Sequence, residues 1–304
     1  MTVSRAATAI GIGIVVIAAS LCFVQIKEGL LYAPPLRFAG LRTLLAGLFL
    51  LSAASVLQRR VLPAPQTWAW ILPLGLFATT LTFGSMFLAP VFVSAGLASV
   101  LGNLQPLVLL AMAAVFLNER ITGGKIIALS LGTGGIVFLF WNQLGAGMGG
   151  SFAGGALALV SSTGAAAGSL LVKRMRPGRE LLLVVGWQLV FGSLVLLGLS
   201  ALWESATVQW SFSFVRILLF LSIFETALGT LIWFRLLQRN EAGRLGQALF
   251  LIPVTGLIFA AWLRGETPGF FEWIGIGIIL AGVAIAGLEP LVRKIPPSLP
   301  GKST

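Results

Sequence analysis

Apolar runs long enough to cross a lipid bilayer follow one another along almost the whole chain, separated only by short polar connections. One crossing needs about 20 apolar residues. Ten such runs can be placed, at residues 6–26, 35–57, 67–88, 91–117, 125–141, 152–172, 181–202, 214–236, 242–263 and 270–288. The third and fourth are divided only at Ala89-Pro90. In hydrocarbon every backbone N–H and C=O must be bonded within the protein, which leaves helices and closed barrels as spanning structures. The runs are continuous, not alternating, and this excludes the barrel. The expected fold is an all-α polytopic membrane protein of ten transmembrane helices. Charged residues are 10% of the 304 and apolar residues 58%, against about 25% charged in soluble domains. The first run lacks a small-x-small cleavage site and reads as a retained helix. Ser20-Leu21-Cys22 resembles a lipoprotein box only faintly, because Leu21 is large.

The net charge of +11 does not point to nucleic acid, because the basic residues form short clusters between apolar runs. With the N-terminus inside, fifteen Lys and Arg fall on the cytoplasmic side and four on the outer side, with Arg42 left out because it lies within a span. That asymmetry places both termini in the cytoplasm. Cys22 is the single cysteine, histidine is absent, and the nine acidic residues are all glutamates. No intrachain disulfide can form, and neither a metal centre nor a cofactor is expected. An intramembrane enzyme would have only glutamates and hydroxyls to work with. No Walker motif is present, so ATP hydrolysis is not expected.

Residues 95–141 recur at 242–288 with a constant offset of 147 and no gap, ten of the 47 positions being identical. Among the identities are Ala95-Gly96 with Ala242-Gly243, Pro106 with Pro253, Glu119 with Glu266 and Gly135 with Gly282. The offset carries spans one to five onto six to ten. Five is odd, so the two copies are expected in opposite orientations, with a cavity near the midplane where they meet. The expected organisation is a first five-helix repeat at 1–146, a Gly-rich linker at 147–151, an inverted second repeat at 152–292 and a cytoplasmic tail at 293–304.

The run from Ser94 to Leu101, then Gln105-Pro106-Leu107, then Phe116-Leu117-Asn118-Glu119-Arg120-Ile121, resembles the EamA-type signature of the drug/metabolite transporter superfamily. Leu36 to Arg42, Pro253 and Gly265-Glu266 resemble it too. The resemblance implies two inverted five-helix halves in a bacterial inner membrane, carrying small metabolites, often outward. The chain departs from it in the first span, where Ala18-Ala19-Ser20 stands in place of the usual Trp-Gly.

Glu225 lies near the middle of the eighth span. A carboxylate at that depth is costly unless it faces protein or water. It is a candidate for proton coupling or for binding a substrate amine, and alternatively a structural group holding helices together. Arg42 is a candidate for a substrate carboxylate, or else it snorkels to the outer interface or holds backbone carbonyls. A pair between the two is open, although their expected depths differ. Gln25, Asn103, Gln105, Gln188 and Gln247 are uncharged polar groups inside spans, either cavity-lining or bonded between helices. Trp187, Trp233 and Trp262 are either stacking surfaces or interface anchors. Pro106 and Pro253 are expected to open their helices in mid-span. Glu119 and Glu266 are expected in fold roles, capping the next helix or pairing with Arg120 or Arg264. Gly145 to Gly150 fits G-x-G-x-x-G by letters, but no strand precedes it, and it reads as the connector.

The expected function is a secondary transporter, an exporter by the resemblance, of a small organic metabolite such as an amino acid. It would work by alternating access, with proton coupling or exchange. The alternatives are a non-transporting channel or scaffold, or a carrier of nucleotide-sugars or drug-like cations. The expected partners are the substrate and the bilayer, and protons if transport is coupled. The chain would act as a monomer or a homodimer.

Overall fold

The computed structural model describes residues 5–92, 103–141, 152–264 and 269–288. All regular structure among these residues is helical. α1 is Arg5–Gly29 and α2 is Pro35–Gln58. α3 runs from Trp68–Leu74 through a π-helical stretch, Gly75–Leu81, into Thr82–Phe92. α4 is Gln105–Leu117, α5 Gly123–Leu139, α6 Phe152–Met175 and α7 Leu181–Trp203. α8 runs from Phe212–Phe220 through a second π-helical stretch, Leu221–Gly229, into Thr230–Arg239. α9 is Ala242–Ala248, α10 Leu251–Arg264 and α11 Phe270–Leu288. Among the described residues six helices are long and apolar enough to cross a bilayer, and four shorter apolar ones accompany them.

Two features differ from the sequence reading. The third span does not end at Ala89-Pro90, because α3 continues through both residues to Phe92. Pro106 does not bend a helix from its middle. A turn at Asn103-Leu104 precedes α4, and Pro106 occupies its first turn. There the missing N–H would have no helical partner anyway. The second copy is broken at the matching place, with a turn at Leu249-Phe250 between α9 and α10 and Pro253 near the start of α10. The proline thus marks a restart of the helix.

The contacts follow the offset of 147. α2 packs on α7 and α5 on α11, which are the pairs the offset exchanges. α1 packs on α10 and the α8 π stretch, while α6 packs on α4 and the α3 π stretch. Two crossings depend on glycine, as membrane helices that approach closely commonly do. A Cβ on Gly275 would lie 2.7 Å from the Gly135 carbonyl oxygen and 2.7 Å from the Leu139 nitrogen. A Cβ on Gly47 would lie 2.8 Å from the Gly186 carbonyl oxygen. Backbone cannot yield as a side chain can, so Gly275→Ala is expected to cost about 1–3 kcal/mol, read as a lower thermal midpoint in detergent. Gly277→Ala is the control, because a Cβ there meets nothing within 4 Å. Equal midpoints for the two variants would contradict the close crossing.

Polar groups inside the bundle tie helices together. Ser20 hydrogen-bonds the Thr255 hydroxyl and donates to the Ile252 carbonyl at 3.0 Å, joining α1 to α10. Cys22 is buried within α1.

Candidate functional site

Glu225 and Arg42 meet in the interior. Both are held by local structure. Arg42 lies on the buried face of α2, with its side chain at 0% exposure, and Glu225 lies in the π stretch of α8. π-helical turns are rare and collect at functional sites. Arg42 Nη2 donates to Glu225 Oε2, and Arg42 Nε donates to Thr226 Oγ1 at 2.7 Å. The Thr226 hydroxyl also donates to Glu225 Oε2, at 3.1 Å. The guanidinium carbon sits 5.0 Å from the Phe83 ring centre and 5.7 Å from that of Phe87. Ring faces attract a cation at this range. Arg42 is therefore neither snorkelling nor on a carbonyl. Its Nη1 has no hydrogen-bond partner among the described residues.

Beside this pair lies a cavity of about 170 Å³. Glu225 borders it, with its side chain 19% exposed, and Oε1 makes no hydrogen bond among the described residues. Both π stretches contribute, through Ala78 and through Glu225 and Gly229. Both helix breaks contribute as well, through Gln105 at the start of α4 and Leu249 and Ile252 at the α9–α10 turn. Trp233 forms part of the wall, and its Nε1 donates to Ser169 Oγ at 3.1 Å, which fixes the plane of the indole. Thr82, Thr230 and Ser169 bring hydroxyls to the wall, and among the described residues no lysine or arginine borders it. Ala18, Ala19, Ala78 and Ala165 form the small-residue side.

The offset explains part of this asymmetry. It carries Thr79 onto Thr226 and Ala78 onto Glu225. In the first copy Thr79 donates to Gln188 Oε1 at 2.7 Å, where the second copy has Arg42 on Thr226. One contact between span two and span eight is charged, and its counterpart between span seven and span three is neutral. The cavity faces an alanine at one position and a carboxylate at the related one.

Other sequence candidates lie elsewhere. Gln188 is buried against Thr79, away from the cavity wall. Gln247 donates to the Lys125 carbonyl at 3.2 Å. Asn103 sits in the turn before α4, and Gln25 is half-buried on α1. Trp187 donates to the Val61 carbonyl at 2.7 Å and packs edge-on against Trp68, a setting at the rim of the bundle. The Trp262 side chain, Glu266 and the 145–150 glycine run lie outside the described residues. Thr82, Thr230, Ser169 and Ala78 were absent from the sequence reading. Ala18 and Ala19 stood out only as the place where the chain departs from the Trp-Gly pattern.

Glu119 closes the bundle at the end rich in basic connections. Asn118 adopts a left-handed conformation with φ 52 and turns Glu119 off the end of α4. The carboxylate accepts from Lys173 Nζ at 2.6 Å and from the backbone N–H of Ala242 and Gly243 at 2.9 and 3.1 Å. It thereby caps α9, as a carboxylate at a helix N-terminus does. Its ionic partner is Lys173, not Arg120. Lys173 also donates to the Asn240 carbonyl, and Lys125 Nζ reaches Glu241 Oε2 at 2.9 Å. Burial pushes the Glu119 carboxyl up. The Lys173 hydrogen bond and charge and the two backbone N–H groups more than offset this, leaving it below the usual value of 4.5.

A helical bundle of membrane-spanning length, with broken helices and a buried ion pair beside an interior cavity, defines a polytopic membrane protein with room for a small molecule. The chain belongs to the EamA-like transporter family, whose sequence profile matches residues 7–141 and again 152–288. It is a membrane transporter of small metabolites. It is 31% identical over 272 residues to an uncharacterized transporter, YvbV, of Bacillus subtilis, covering 88% of this chain and 87% of that one. It is 31% identical over 291 residues to a probable amino-acid metabolite efflux pump of Salmonella typhimurium, covering 92% of this chain and 95% of that one. A solved crystal structure at 19% identity superposes with a TM-score of 0.79 over 94% of this chain and 99% of the other. That likeness concerns the fold alone.

Proposed function

We propose that this protein is a secondary exporter of a small amine-bearing metabolite of the amino-acid class, working in a bacterial inner membrane with both termini cytoplasmic. In this reading the 1–146 and 152–292 repeats are inverted halves that alternate access to the central cavity, as antiparallel repeats can. The observation that carries it is Glu225, a carboxylate bordering the cavity with one oxygen tied to Arg42 and Thr226 and the other unbonded among the described residues. A substrate ammonium or a proton arriving at Oε1 competes with Arg42 for the same carboxylate. Protonation removes the charge that holds Arg42, and α2 is then freed from α8. That competition links occupancy to helix movement, either by proton coupling or by exchange. Trp233 and the alanines supply apolar walls for the remainder of the substrate, and Gln105 and the wall hydroxyls supply neutral hydrogen bonds. A nucleotide-sugar calls for exposed cations, and none borders the cavity among the described residues. The names of the Salmonella and Escherichia coli relatives, both probable amino-acid metabolite efflux pumps, favour the same substrate class.

The test is solute counterflow in proteoliposomes with a panel of amino acids and related amines, for the wild type and for Glu225→Gln, with and without an imposed pH gradient. Saturable exchange of one solute, with the variant losing its response to the gradient, supports proton coupling at Glu225. Saturable exchange that ignores the gradient in both proteins supports obligate exchange instead. Flux that does not saturate indicates a channel and removes the carrier reading.

A further inference from the structure

We propose that the groove between α1 and the last turns of α8 binds an anionic phospholipid, its phosphate on Arg235 and Arg239 and an acyl chain along Gly11, Ile232 and Leu236. The proposal rests on the orientation given above, which puts this groove at the cytoplasmic leaflet.

The groove is about 260 Å³ and is separate from the central cavity. Its floor is apolar because Ile232 and Leu236 line it beside Gly11. A Cβ on Gly11 would lie 3.2 Å from Leu236 and 3.6 Å from Ile232, so a side chain at this position would narrow the notch. Arg235 and Arg239 flank it and are exposed. Residues four apart lie on one helix face, so the two guanidiniums can close on a single anion. Neither forms an ion pair among the described residues, and the nearby carboxylates of Glu119 and Glu241 are taken by Lys173 and Lys125. The negative end of the α8 dipole opposes an anion here with about half a charge. The Leu236 carbonyl, however, is covered by the Asn240 backbone N–H at 3.0 Å and by its side-chain amide at 2.9 Å. Two full positive charges prevail over that half charge. Arginines that serve only topology need to reach water and nothing more. These two instead border an apolar groove, the setting in which basic pockets between helices take lipid head groups.

The position has a consequence for transport. Trp233 and Phe234, on the same helix turn, border the central cavity, and the Asn240 carbonyl receives Lys173. A lipid bridging α1 and α8 braces the helix that carries the cavity wall.

The experiment is native mass spectrometry of the detergent-purified full chain with phosphatidylglycerol and phosphatidylcholine of identical acyl chains. The wild type is expected to retain one phosphatidylglycerol preferentially. Arg235→Gln/Arg239→Gln is expected to weaken that retention about thirty-fold, while Arg174→Gln/Arg176→Gln leaves it unchanged. Unaltered retention in the first variant, or an equal loss in the second, overturns the site in favour of diffuse surface charge. Full displacement of the lipid by inorganic phosphate also overturns it, since the groove would then be a plain anion site. All four arginines are exposed, and matching thermal midpoints verify folding. Binding in detergent needs neither transport nor a defined orientation, so a failed counterflow assay and a failed lipid site are read separately.

Discussion

Glu225→Gln is expected to lower the thermal midpoint of the detergent-purified protein by far more than Arg42→Met does. The two substitutions break the same pair and leave unlike remnants. Glu225→Gln leaves a guanidinium that is fully buried and cannot give up its proton. Removing one partner of a buried pair costs about 3–5 kcal/mol for this reason. Arg42→Met leaves a carboxylate at the cavity wall, where it can take up a proton and become neutral. A loss of about 1–2 kcal/mol is expected there, mainly from the ring contacts and the Thr226 hydrogen bond. The double variant Arg42→Met/Glu225→Gln is expected to be more stable than Glu225→Gln alone, because it removes the orphaned cation. If all three variants match the wild type, the pair is not formed in the membrane and the proposed competition at Glu225 loses its basis.

Glu119→Ala is expected to cost about 2–3 kcal/mol and to open the bundle at its basic end. The cap on α9 accounts for about 1 kcal/mol. The rest is the Lys173 pair, whose side chains are 8% and 18% exposed, so solvent screens it only in part. The pH dependence follows from the depressed Glu119 carboxyl. Its contribution is present above the unfolded value near 4.5 and is lost as pH falls through the lower folded value. The stability gap between the wild type and Glu119→Ala is therefore expected to narrow only in acid and to stay constant across neutral pH. Opening is read with a cysteine at Ala165 in a Cys22→Ala background. An impermeant thiol reagent applied from the cytoplasmic side should label it several-fold faster once Glu119 is gone. Unchanged labelling together with a lowered midpoint assigns Glu119 to stability alone.

The two copies of the repeat answer differently to a reading from sequence. Pro106 and Pro253 were legible as special positions because any proline in an apolar run disturbs the backbone. Which disturbance follows depends on neighbours. Here the helix stops and restarts at Asn103-Leu104 and at Leu249-Phe250, and the ends freed by each break fall beside the cavity. Glu119 was legible as structural from its repetition at Glu266. Its partners Lys173, Ala242 and Gly243 were not, since they belong to elements brought to α4 by packing. Thr82, Thr230 and Ser169 carried no signal at all, because a hydroxyl in an apolar helix commonly bonds its own backbone one turn earlier. Ala18 and Ala19 became informative only once the cavity was seen to lie against them.

Membrane insertion depends on a sum over contiguous residues, and a sum of that kind can be taken along a chain without knowing its fold. For this reason the sequence by itself determined the all-helical membrane class, the approximate places of most apolar runs and the repeat at 147. The ion pair joins residues 183 apart, and its formation depends on which faces of α2 and α8 turn toward one another. Only the tertiary structure decided that Arg42 meets Glu225 and Thr226 while Gln188 meets Thr79, and that the cavity opens beside the charged contact. Hydropathy counts each of these polar residues as a cost at its depth. Packing determines which of them share that cost by bonding to each other.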